Sequence, residues 1–492
     1  MRRFLRIIGR IALAIVVLVI ATVLLIVIVH RMQLRRLATL SQYPVQRYIS
    51  ESAPYFVLTN ANVIDGTGSD ARPAQAIAVH DGMIVWTGPA ANMPAQPGAK
   101  VIDLHGATVL PGFVMLHEHL FTTANGNQLA QQSITFPLLY LAVGVTTART
   151  TGSIDAASDL RTKSRIDSGE QAGPELFLTA PYLEGAPPLF KEMRPLTGPD
   201  DAKKSVDDYA AQGFTSFKAY TDITQAELQA AIDETHAKSL KITGHLCSIT
   251  FTEAANMGID NLEHGLLVDT EFYSGKKPGV CPKMLPYLEE YRDKLDVHSP
   301  AVTAMMDTLI AHHIPITSTL SVLESELGGG NPPWYQQRAK SALIWKSWLI
   351  SSLIHRSMKK YNMQPLLDKE LQFEAEFVRR GGTLLAGADP TGDGSVLAGY
   401  ADLREIELLD QAGFTVPQAI KIATLNGATF LGIDKRTGTI EPGKQADLVI
   451  INGDPTKRIA DIRNVLTVYR QGKGYDSQKM MSDVVGVVGL PN

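Results

Sequence analysis

Along this chain the hydrophobic and polar positions fall into three regimes. Residues 11–29 are an unbroken run of 19, apolar except for Thr22. A bilayer core needs about 20 apolar residues, whereas the core of a signal peptide is about 7–15 long. The run has no polar face and no A-x-A site close behind His30-Arg31, so residues 1–36 predict an uncleaved anchor spanning 11–29. Residues 37–54 read as a tether. From 55 to 110, short strand-like pieces (55–58, 76–80, 83–86, 100–104) are separated by Asp65-Gly66, Asp81-Gly82 and Gly88-Pro89, the punctuation of a small β-sandwich. Residues 436–475 resume that style at 446–451 and 465–470. Between them, in 111–435, eight apolar runs alternate with helical stretches: 113–116, 145–149, 176–179, 216–220, 241–245, 261–264, 315–319 and 383–386. Such alternation predicts a parallel sheet, and eight strands suffice to close a barrel. The expected architecture is α/β: a (β/α)8 TIM barrel, a β-sandwich built from both chain ends, one transmembrane helix in front and a tail at 476–492.

Composition narrows the function. A length of 492 residues exceeds one ordinary domain of about 100–200 but suits a barrel with additions. Hydrophobic residues at 45% and charged ones at 20% exclude extensive disorder. Two cysteines, Cys247 and Cys281, exclude a disulfide scaffold and a four-cysteine zinc module, and leave open whether the two pair. Residues 1–36 hold seven arginines and no acid, so the net charge of −4 becomes −11 once they are set aside, which is no footprint for nucleic acid. Four of those arginines precede the span and three follow it. That majority favours the amino terminus inside and a single-pass protein whose body faces the periplasm or exterior.

Active sites of such barrels lie at the carboxyl ends of the strands, and residues capable of chemistry fall there. The first run ends in His117-Glu118-His119, the fourth carries Lys218, the fifth ends at His245, the sixth at His264, and the eighth leads to Asp389. Alternate residues of a strand share a face, so His117 and His119 can turn both imidazoles to one point. With two further imidazoles and a carboxylate they make a nitrogen/oxygen set suited to zinc. Singly, each has a plainer reading: a satisfied core histidine, a turn aspartate, a lysine snorkelling from a strand end. Gly387, two residues before Asp389, permits close backbone approach. Neither a G-x-S-x-G elbow nor a G-x-x-x-x-G-K-[ST] loop occurs.

These motifs resemble the amidohydrolase superfamily, in the branch containing imidazolonepropionase-like and prolidase-like enzymes. Matching stretches include 60–66, 101–104, Pro111-Gly112 before the His-x-His, Gly144-Val145-Thr146-Thr147, Glu263-His264-Gly265, 423–426, and 438–448 with its Pro442-Gly443 and Ala446-Asp447-Leu448. The resemblance spans about 56–470. It implies that His117 and His119 ligate the more buried metal, that Lys218 is a carboxylated lysine bridging two zinc ions, that His245 and His264 hold the second, and that Asp389 is both ligand and proton shuttle. Thr150 departs from the family, where an aspartate is frequent.

The expected activity is metal-dependent hydrolysis of a C–N amide bond by a metal-bridging hydroxide, with a dipeptide (Xaa-Pro-like) or N-acyl amino acid as small-molecule substrate. The alternatives are a cyclic-amide (imidazolone or lactam) hydrolase or deaminase and, from another class, a catalytically silent binding barrel. Lys218 favours the first, because imidazolone and deaminase members commonly use one metal without a bridging lysine. Tyr220 and Arg149 are expected to contact substrate, and a homo-oligomer is compatible with the sequence. Trp334, Trp345 and Trp348 crowd an insertion within 321–370, behind a hinge-like stretch beginning at Gly328. They read as helix core, a substrate lid, or a surface resting on the membrane or a second subunit.

Overall fold

The computed structural model describes residues 2–124, 128–327, 330–358, 361–391 and 394–491. The amino-terminal apolar run lies inside one helix, α1 (Arg2–Leu40), whose large side chains from Ile11 to Ile28 are all exposed. Apolar surface left in water costs about 25 cal/mol per Å² and nothing in hydrocarbon.

Nine strands drawn from both chain ends form one hydrogen-bonded sheet. Its order is 49–51, 473–476, 465–470, 448–451, 108–111, 55–63, 72–80 and 83–89, with 100–103 also paired to 55–63. Neighbouring strands lie about 4.8 Å apart, yet Phe56 stacks on Tyr469, three strands away, with ring centroids 5.1 Å apart. The sheet therefore folds over on itself, and Phe56, Leu58, Ile77, Val109, Leu448 and Tyr469 share its core.

The middle of the chain is TIM-barrel-like. Strands β1 (Phe113–Glu118), β2 (Val145–Thr150) and β3 (Glu175–Phe177) form one parallel arc. A second arc runs in chain order through β4 (Ser216–Ala219), β5 (Lys241–Gly244), β6 (Asn261–Glu263), β7 (Ile316–Ser318) and β8 (Leu384–Ala386). Parallel bridges Thr179–Ser216 and Leu183–Ala219 link the arcs on one side. On the other, the Asp389 amide donates to the His117 carbonyl at 2.9 Å. All eight anticipated positions carry a strand, with ends shifted by a residue or two.

Between β7 and β8 stand the helices Leu320–Glu326 and Pro333–Ala342 and then α2 (Trp345–Met358). Gly328 and Gly329 of the expected hinge lie outside the described residues. Trp334 and Trp348 pack on the main core, whereas Trp345 is 40% exposed.

Two expectations about the chain ends are corrected. The carboxyl-terminal stretch is no loose tail: α3 (Ser477–Asp483) and the residues after it bury Met480, Val484, Val487, Val488 and Leu490. Nor do residues 37–54 hang free. Leu37, Leu40, Val45 and Tyr48 are buried, Ile49–Glu51 pairs with Lys473–Asp476, and Arg47 meets Asp483 at 2.7 Å. Both stretches are apolar enough to cover each other, so burial outweighs the entropy of leaving them loose.

Candidate functional site

At the carboxyl ends of β1, β4, β6 and β8 the anticipated residues converge. His119 Nε2 lies 3.1 Å from Asp389 Oδ1, and the Nε2 atoms of His117 and His264 lie 3.8 and 3.9 Å from Asp389 Oδ2. Lys218 Nζ is 3.2 Å from His117 Nε2. The His245 ring sits 4.3 Å from that of His264, which is 4.5 Å from that of His117. One donor atom each from His117, His119 and Asp389 falls within a 4.8 Å cluster.

Local backbone aims these side chains. His117 and His119 alternate on β1 as the strand period requires, while Glu118 between them points the other way and accepts from the Ala388 amide at 2.9 Å. That contact, with the Asp389–His117 backbone bond, stitches the end of β8 to β1. Gly387 allows the approach: a Cβ there would fall 2.3 Å from His117 Cβ. His264 and Asp389 adopt positive φ, 69° and 44°, a conformation rare outside glycine that persists only where surroundings enforce it. Each turns sharply off its strand and delivers its side chain inward.

The donor set fits a metal. His117 Nδ1 is 2.7 Å from Glu263 Oε2, so donation to that carboxylate leaves Nε2 with a free lone pair 3.2 Å from Lys218 Nζ and 3.8 Å from Asp389 Oδ2. His264 Nδ1 meets Thr319 Oγ1 at 2.8 Å, and its buried Nε2 has no hydrogen-bond partner among the described residues. A buried nitrogen without a partner is costly unless something occupies the space before it. Burial, with the Lys218 ammonium nearby, pushes His117 down to about 4. Burial also pushes His119, His245 and His264 below the ordinary imidazole value, keeping all of them in the neutral form that ligates. Burial alone would raise Asp389, but the surrounding imidazoles outweigh it and hold the carboxyl well below its usual range. Lys218, 1% exposed, is pushed down to about 8 by burial.

Of the two residues expected to contact substrate, Tyr220 lines the site. Its ring lies 4.9 Å from His245 and 4.8 Å from Tyr182, with Lys218 Nζ 5.5 Å above it. Arg149 departs from that expectation. It is 1% exposed and donates to the Leu116 carbonyl (2.7 Å), Asn261 Oδ1 (3.0 Å) and Glu263 Oε1 (2.7 Å), which spends it on joining β1 to β6. Glu263, joining Arg149 to His117, is the residue that sequence reasoning passed over. Its signal was its position two residues beyond Asn261 on β6, facing the barrel interior like Asn261. Thr150 Oγ1 accepts from the Thr179 amide at 2.9 Å and so serves the β2–β3 seam.

Cys247 and Cys281 are joined, with Cα atoms 4.9 Å apart. The bond lies two residues past His245. Lys276 Nζ reinforces the same loop by donating to the carbonyls of Cys247 (2.6 Å), Ser248 (2.8 Å) and Val280 (2.9 Å).

Comparison with known proteins agrees with this picture. Residues 378–474 match the model of the Amidohydrolase family. An imidazolonepropionase from Mesorhizobium japonicum is 24% identical over 395 residues, which is 76% of this chain and 85% of that protein. A Xaa-Pro dipeptidase with bound methionine superposes with a TM-score of 0.64 at 18% identity, over 86% of this chain and all of the other. A bottromycin amidohydrolase gives 0.64 at 18% identity, over 94% of this chain and 97% of its own. With the shared motifs and the donor cluster at the strand ends, these matches support a likeness to the amidohydrolase superfamily, and the matched relatives are enzymes that hydrolyse carbon–nitrogen bonds.

Proposed function

We propose that this protein is a membrane-anchored, binuclear amidohydrolase that cleaves a linear amide, a dipeptide of the Xaa-Pro kind or an N-acyl amino acid, inside a closed (β/α)8 barrel. One observation carries the reading: Lys218 lies buried 3.2 Å from His117, whose ring is 4.5 Å from that of His264, itself 4.3 Å from that of His245. A buried ammonium beside imidazoles is unfavourable, and the Glu263 and Asp389 carboxylates offset its burial only in part. Conversion of Lys218 to a carbamate makes it an anion able to bridge two cations, and its lowered pKa supplies the neutral amine that reacts with carbon dioxide. The superposition on a Xaa-Pro dipeptidase supports the same substrate class.

In this reading His117, His119 and Asp389 would hold one ion, His245 and His264 a second, carboxylated Lys218 would be a ligand shared by both, and the nitrogen/oxygen set favours zinc. When bound, such ions polarise a substrate carbonyl and lower the pKa of water from about 15.7 toward 7. The chain's own groups do the rest. Asp389, kept ionised by its imidazole neighbours, takes a proton from the attacking water and returns it to the departing amine, which must be protonated to leave. Glu263 fixes the tautomer of His117, and Arg149 fixes Glu263. Tyr220 and Tyr182 form an apolar wall for the substrate.

The anchor reading rests on α1, and the Cys247–Cys281 bond supports a body in an oxidising compartment, the periplasm or exterior. A cyclic-amide hydrolase is the second reading, favoured by the imidazolonepropionase relative. Elemental analysis of the purified full-length chain separates the two. About two divalent ions per chain, with hydrolysis of dipeptides or N-acyl amino acids, is expected. About one ion, with ring opening of an imidazolone, would select the second reading, and none after zinc is offered would overturn both. Lys218→Ala should lose most metal and activity, with partial rescue by short-chain carboxylic acids plus zinc. Retention of two ions in that variant would remove the bridging role.

A further inference from the structure

Outside α1, α2 is the one described helix that exposes more than one large hydrophobic side chain. Trp345, Leu349 and Leu353 are 40%, 42% and 56% exposed, and their i, i+4, i+8 spacing puts them in a single stripe. Exposed Lys346 and Arg356 flank the stripe. The opposite face, with Ser347 and Ser351, is buried against the body.

Where α2 sits is decided by its anchorage. Residues 341–344 run beside the carboxyl-terminal segment: the Gly486 amide donates to Ser341, Val488 to Ala342, and Ile344 to Val488, at 2.9, 3.2 and 3.0 Å. The same segment holds α1. Gln33 Nε2 donates to the Gly486 carbonyl at 2.9 Å and Arg36 to Ser482 at 2.9 Å, with Leu37 and Leu40 buried nearby. Gln33 is four residues beyond Val29, about 6 Å along a helix rising 1.5 Å per residue. Three hydrogen bonds thus tie the residues that lead into α2 to the same carboxyl-terminal segment that Gln33 contacts just past the apolar span of α1.

We propose that α2 is an in-plane membrane helix: its Trp345–Leu349–Leu353 stripe enters the lipid interface beside α1, with Lys346 and Arg356 on anionic headgroups. This rests on the anchor reading of α1. Tryptophan is favoured at the headgroup level, leucine just beneath it, and basic residues are attracted to anionic headgroups. Two attachments then fix the body relative to the bilayer. The tilt a lone helix would leave free is removed, and the insertion between β7 and β8 faces lipid. Substrates that partition into the interface would reach that side of the body first.

The test uses the full chain in vesicles of phosphatidylcholine and phosphatidylglycerol. Single cysteines at Leu349→Cys or Leu353→Cys take an environment-sensitive fluorophore, Cys247 and Cys281 being paired. Lys203→Cys, at an exposed position on the helix Pro199–Gln212, is the reference. Blue-shifted emission quenched by brominated lipid at 349 and 353, and iodide quenching at 203, is expected. Iodide quenching at all three positions while the protein floats with the vesicles overturns the α2 surface and leaves the anchor standing. Failure to float overturns the anchor and the surface together. A blue shift without lipid quenching, accompanied by a dimer mass in detergent, assigns the stripe to a second copy and overturns the lipid contact.

Discussion

Glu263 accepts from His117 on one oxygen and from Arg149 on the other, so one buried carboxylate serves both a ligand and a buried cation. Glu263→Gln keeps the shape, loses the charge and leaves Arg149 uncompensated. Partners of this kind affect metal affinity by about 10–100-fold, and a broken buried ion pair costs about 3–5 kcal/mol. Zinc titration should show the weaker affinity and thermal unfolding the lower stability; unchanged affinity would remove Glu263 from the ligand support. His117, His119, His245, His264 and Asp389 were all legible in the sequence, because each terminates an apolar run. Glu263 was not, since an acid next to a histidine looks the same whether it faces the barrel or the solvent.

Gly387 and the Cys247–Cys281 bond act on whole elements. Gly387→Ala would drive a methyl into the His117 backbone, 2.4 Å from its amide nitrogen. It should part β8 from β1, with loss of metal and of several kcal/mol of stability, the cost of overpacking being about 1–3 kcal/mol even where neighbours can yield. The cystine closes a loop of separation 34. Removing it by the double Cys→Ala change should cost about 3–4 kcal/mol in denaturant unfolding on a chain-entropy estimate, and loosen the loop that follows His245. The strand positions were readable from periodicity, but their ends were not, since hydrogen bonding to neighbours rather than local pattern stops a strand. The stretches 37–54 and 476–492 were misread for a related reason: each finds its apolar partner at the other end of the chain.

Over the whole molecule, buried acids outside the ligand set tie stability to pH. Burial pushes Glu370 and Asp269 up to about 8, Glu405 and Asp402 up to about 7, and Glu374 well above its ordinary value. Glu374 and Glu405 both reach Ser318 Oγ, at 2.9 and 2.6 Å, and one hydroxyl can donate to only one of them. A protonated Glu374 completes that trio. Because the folded state holds these protons more tightly than the unfolded chain, this stability is complete only below the ordinary carboxyl range of about 4, declines as pH rises from there, and is fully lost above about 7–8. With zinc saturating, melting temperature between about pH 5.5 and pH 8.5 should fall less steeply in Glu374→Gln than in the parent. Parallel slopes would mean that Glu374 is ionised in the fold.

By itself the sequence determined the long apolar amino-terminal helix, the alternation that makes a parallel sheet, and which titratable residues stand at the strand ends, because hydrophobic period and residue type are local properties. Tertiary structure alone decided the rest. It spent Arg149 on joining β1 to β6, paired Cys247 with Cys281, and gave His117 its carboxylate. It also tied the residues leading into α2 and those just past the apolar span of α1 to one segment, some 140 residues beyond α2 in the chain. Each of these depends on which distant surfaces are buried together, and a side chain's role changes with what lies across the contact.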